Sequence, residues 1–129
     1  MQKDIIISSI KKDFILKIKK GEISFLNSSG LLGWKSLTFT IIAGGKTEKF
    51  PEIYIVKKTE NKKGVVEIQL TANYSISRVT EKMSIQYNPQ KRFICIKREF
   101  YNKTSKPIFL NAVTDGDCKF YFPVTVLVM

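Results

Sequence analysis

Histidine is missing from this 129-residue chain, and its absence removes the commonest zinc ligand together with Ser-His-Asp and Cys-His catalysis. Cysteine is nearly missing. Cys95 and Cys118 cannot hold zinc without further ligands, and Cys95, inside the apolar run FICI at 93–96, reads as a small packed hydrophobe. No apolar run reaches the roughly 18 residues of a membrane-spanning helix, and the apolar part of MQKDIIISSI is too short for a secretory leader. A soluble, cytoplasmic protein is therefore expected. Helical periodicity is lacking as well: the best candidate, 4–12, is short and β-branched.

Acidic residues are scarce, with 11 Asp and Glu against 22 Lys and Arg and a net charge of +11. Such an excess attracts polyanions, nucleic acid or anionic lipid among them. Arginine, however, occurs only as Arg78, Arg92 and Arg98, while lysines fall singly or in pairs (Lys11 and Lys12, Lys19 and Lys20, Lys57 and Lys58, Lys62 and Lys63) at strand ends and turns. That distribution disfavours nucleic acid and suits solvated charge that blunts sheet edges.

The hydrophobic share of 43% and charged share of 26% are those of a folded globular protein, and the length suits a single domain spanning 1–129. Strand signals dominate. Phe14, Leu16 and Ile18 alternate with Ile15, Lys17 and Lys19, and Gly21 precedes a second strand at 22–26 and an NSSG turn at 27–30. Leu37, Phe39 and Ile41 alternate with Thr38, Thr40 and Ile42 until Gly44-Gly45, and 53–57 is the next strand. The clearest alternation sets Val66, Ile68, Leu70, Ala72, Tyr74 and Ile76 on one face against Glu67, Gln69, Thr71 and Asn73 on the other. Val79, Met83, Ile85 and Tyr87 continue it, and the turn NPQK at 88–91 joins them to 92–100 as a hairpin. These signals predict an all-β fold, an antiparallel β-sandwich of about nine strands in consecutive hairpins. The apolar ending FPVTVLVM implies either an interior strand or one piece of a longer chain.

Candidate chemistry is sparse. Asp115 and Asp117 flank Gly116 as a turn does, with too few oxygen ligands following for a calcium loop, so no metal or other cofactor is expected. Glu22, Glu52, Glu67, Glu81 and Glu99 are scattered singly on strand faces, with no spacing that pairs an acid with a base, and no catalytic residue is assigned. Aromatic rings exposed on one face would stack on sugars or bases. The candidate ligand-binding residues are Trp34, in the turn-rich GLLGWKS, with Tyr54, Tyr87 and Tyr101; Tyr74 and Tyr121 belong to the same aromatic set.

The hairpin VTEKMSIQYNPQKRFICIKREFYNKTSKPIFLNAV contains the pattern N-x-[ST]-x-x-P-[IV]-x-[IL] at 102–110. Asn and Thr bond the local backbone, Pro fixes the bend, and Ile108 and Leu110 resume a buried strand. Together with the opening 14–30, the chain resembles the N-terminal β-sandwich domains of alpha-galactosidase-like glycoside hydrolases, over roughly 14–116. That resemblance implies a non-catalytic module of carbohydrate metabolism, which supports a catalytic hydrolase domain or binds carbohydrate weakly. The alternative is a stand-alone interaction protein whose basic surface takes an acidic partner.

Overall fold

The computed structural model describes residues 3–28, 30–31, 37–91, 93–112 and 124–128. Trp34, the turn at 115–117, Cys118 and Tyr121 lie outside them. The described residues form thirteen strands and no helix, an all-β, sandwich-like fold.

The first sheet grows from the alternation at 14–19. β2 (Ile15–Lys19) and β3 (Glu22–Asn27) form a hairpin whose inward residues Leu16, Ile18, Ile23 and Phe25 are buried. Their two-residue loop, Lys20-Gly21, has φ of 49° and 73°, the mirror-image turn whose twist matches the strands. β1 (Ile5–Ser8) pairs with β2, so the β-branched run at 5–7 enters a sheet. Two short strands, β4 (Gly30–Leu31) and β5 (Leu37–Thr38), pair with β3.

The stretch read as one strand at 37–42 is two. After β5 the chain crosses at Phe39, whose N–H donates to the Gly21 carbonyl at 2.7 Å, and β6 (Thr40–Ala43) enters a different sheet. There it pairs with β7 (Lys46–Lys49) and β12 (Leu110–Ala112). Alternation continues through a strand that switches sheets at a corner, so periodicity cannot reveal the switch.

The largest sheet runs β13-β11-β10-β9-β8. β8 (Glu52–Glu60), β9 (Val66–Tyr74), β10 (Val79–Asn88) and β11 (Phe93–Asn102) are antiparallel neighbours, while β13 (Val124–Val128) lies parallel to β11. β10 and β11 form the expected hairpin, but Asn88 still pairs, opposite Phe93, so the turn lies one residue later than 88–91. Val66, Ile68, Leu70, Ala72 and Tyr74 are each at most 1% exposed, but Ile76 is 81% exposed: β9 ends at Tyr74, and the turn at 75–78 carries Ile76 into solvent. Inward residues of all three sheets join in one hydrophobic cluster. Each fully buried Leu, Ile or Phe contributes about 1.5–3 kcal/mol.

Candidate functional site

β8 is an edge strand, and beside its start the structure opens a groove of about 630 Å³. Ile18, Pro51 and Ile53, all buried, form its apolar floor, and Lys3, Asp4, Lys20, Glu52 and Tyr54 are exposed around it. The β2–β3 turn contributes Lys20 and Gly21 to its wall, and the β7–β8 junction contributes Phe50.

Phe50 is the unusual residue. Its φ of 57° is the left-handed conformation, costly for a bulky side chain, yet its ring is 69% exposed rather than spent on the core. A Cβ on Gly21 would lie 3.4 Å from Phe50 Cδ1, so the ring rests against the hairpin turn. Tyr54, two residues beyond Glu52 along β8, is 47% exposed. The Glu52 carboxylate accepts from the Tyr54 hydroxyl and holds it above the ordinary phenol range. Two aromatic rings, two lysines and two carboxylates thus share one open cleft, an arrangement that offers both ring faces and hydrogen-bonding groups to a hydroxylated ligand.

Of the four aromatic residues expected to bind ligand, the groove holds Tyr54 alone. Tyr87 is 7% exposed, stacked on Phe14 with ring centroids 4.6 Å apart, and its hydroxyl donates to Asp13 at 3.3 Å. It serves the core. Tyr101, at the far end of β11, carries the ammonium of Lys82 over its ring at 5.0 Å and that of Lys103 at 5.8 Å, and its hydroxyl donates to Glu99 at 2.8 Å. Trp34 lies outside the described residues. Phe50 was missed by sequence reasoning, although an aromatic residue before a proline between two strand patterns is a signal that it falls in a turn.

A second polar cluster lies inside the core. Glu81, on the inward face of β10, and Arg98, on the inward face of β11, are both 0% exposed. Arg98 Nε donates to Glu81 Oε2 at 2.5 Å and Nη2 to Oε1 at 2.9 Å, and the Tyr74 hydroxyl donates to the same Oε1 at 2.9 Å. Burial, then the Glu81 charge, pushes the Tyr74 phenol far above its ordinary range. Burial opposes the Arg98 charge, but the Glu81 hydrogen bonds more than offset it and hold the guanidinium above its usual range. Proton exchange from either group is disfavoured, so the triad is a structural tie.

No protein-family model matches the chain, and neither a curated protein nor a solved structure matches it. The groove therefore has to be read from its own chemistry.

Proposed function

We propose that the chain is a non-catalytic β-sandwich module that binds carbohydrate weakly through the groove at Phe50 and Tyr54. The observation that carries this is the exposure of both rings at one cleft, with Phe50 held there in a left-handed backbone conformation. A sugar ring offers one apolar C–H face and a rim of hydroxyls. The aromatic rings suit the face, and Lys3, Lys20, Asp4 and Glu52 suit the rim. The resemblance to the sandwich domains of alpha-galactosidase-like hydrolases supports the same ligand class.

Binding rather than hydrolysis is favoured by the surroundings of the two groove carboxylates. Asp4 and Glu52 are both exposed, whereas a glycosidase acid is kept protonated by dry, apolar surroundings. Affinity electrophoresis in gels cast with galactan, mannan or glucan tests the assignment. At least one polysaccharide should retard the protein, and Tyr54→Ala should release it while leaving the melting temperature unchanged, since Tyr54 is outside the core. Retardation by none of them, or equal retardation of wild type and Tyr54→Ala, would overturn the assignment.

A further inference from the structure

The end of the sandwich opposite the groove gathers three turns. The β1–β2 turn carries Ile10, Lys11 and Lys12; the β8–β9 turn carries Lys62 and Lys63; the β10–β11 turn carries Lys91. Their adjacency is fixed by contacts. The Ile10 N–H donates to Glu60 at 3.0 Å, the Tyr87 hydroxyl donates to Asp13 at 3.3 Å, and a Cβ on Gly64 would meet Pro89 Cγ at 3.3 Å. Lysines that are dispersed pairs in the sequence become one exposed cluster in the fold.

Two nearby carboxylates, Asp13 and Glu60, are bonded to the β1–β2 turn. Asp13 accepts from the Ser9 hydroxyl at 2.6 Å, and Glu60 accepts the Ile10 N–H and lies 3.7 Å from Lys58. The five lysines of the turns are all exposed. Among them stands Ile10, 82% exposed at the tip of a turn that is itself tightly built: Ser9 N–H donates to the Phe14 carbonyl at 2.8 Å, and Phe14 N–H to Ser9 Oγ at 3.1 Å. The bonded tip presents an aliphatic side chain at the end of the sandwich that carries the five lysines.

We infer that this end is a peripheral docking surface for an anionic lipid membrane, with the lysines on headgroup phosphates and Ile10 entering the interface. Lysines close to an anionic bilayer each add a similar attraction, and an aliphatic tip adds apolar burial that no soluble polyanion offers. Nucleic acid fits less well. The described exposed residues of these turns include no aromatic ring to stack on a base, and the cations among them are lysines, point charges without the planar fork that reads phosphate and base edges.

The test is co-sedimentation of the full chain with phosphatidylcholine vesicles, with and without phosphatidylglycerol, at low and physiological salt. Only the phosphatidylglycerol vesicles should bring the protein down. Replacing Lys62 or Lys63 by Gln should lower partitioning about fivefold each, which corresponds to about 1 kcal/mol per lysine at an anionic surface. Ile10→Ser keeps the charge, and should weaken vesicle binding while leaving retention of a DNA duplex unchanged. Tyr54→Ala should sediment as wild type does, which separates this surface from the saccharide groove. The inference fails if phosphatidylglycerol vesicles do not bind, if Ile10→Ser binds them as tightly as wild type, or if the DNA duplex binds more tightly than the vesicles.

Discussion

Glu81 sits where an apolar residue would be expected. On β10 it falls between Val79 and Met83 on the face that also carries Ile85 and Tyr87, so period two alone places a carboxylate in the core. Arg98 does the same on β11 after Ile94 and Ile96. The observed register sets Met83 opposite Arg98 and Phe100 opposite Glu81, which makes Glu81 and Arg98 diagonal neighbours on one face. Reading each glutamate singly misses the pair, because burial of a charge makes sense only with its partner. A buried pair costs desolvation that its attraction barely offsets, whereas a lone buried charge is strongly destabilising. Arg98→Met should therefore cost about 3–5 kcal/mol, and the double variant Glu81→Leu/Arg98→Met should recover most of that loss. Urea unfolding of the two variants checks this, and a double variant no more stable than the single one would contradict it.

At the scale of elements, β9 was the most legible part of the chain. Its strict alternation sets Leu70 at 1% exposure and leaves Gln69 exposed. Leu70→Asp should unfold the protein, since an unpaired charge in the core costs several kcal/mol, while Gln69→Asp should change the melting temperature little. Equal melting temperatures for the two variants would sink the register. Turns were legible for the same reason, that their chemistry is local. In NKTSKP, Asn102 Oδ1 accepts the Thr104 N–H at 2.8 Å and Nδ2 donates to the Lys106 carbonyl at 2.7 Å; in the β8–β9 turn, Asn61 Oδ1 accepts the N–H groups of Lys63 and Val65. β7 was not legible, because KTEK carries no apolar residue and is a strand only through its pairing with β6. Nor was the character of β8. Its outer half exposes Ile55 and Val56 beside a bulge, and Lys57 and Lys58 keep that edge charged against pairing with another chain.

For the molecule as a whole, Glu48 matters more than its place in a short strand suggests. It lies on the inward side of β7, opposite Ile41, and is 8% exposed. Its two oxygens accept the N–H groups of Ile76 at 3.0 Å and Ser77 at 2.9 Å, so it ties the β6–β7 sheet to the β9–β10 turn of the largest sheet. Burial raises the carboxyl, but these backbone donors and Ser77 lower it further, and the net position is below the ordinary value of 4.5. A depressed carboxyl stabilises the fold fully above its unfolded value and loses that contribution as pH falls through the folded one. Glu48→Gln should therefore lower the melting temperature at neutral pH, and the gap from wild type should narrow below about pH 4.5 as wild-type Glu48 protonates. Melting curves from about pH 7 down to about pH 3 decide it; a gap constant with pH would mean that the tie does not depend on the charge.

The sequence by itself determined the all-β class, the inward faces of β2, β9 and β10, and the turns that join the long strands. All of these depend on residues two to six positions apart, where alternation and side-chain-to-backbone bonding act without reference to the rest of the chain. Tertiary structure alone decided that β5 and β6 belong to different sheets and that Tyr87 stacks in the core while Tyr54 and Phe50 meet at a groove. It also decided that lysines from three separate turns share one end. Those outcomes depend on which sheet faces which, and a two-residue period carries no information about contacts between residues far apart in the chain.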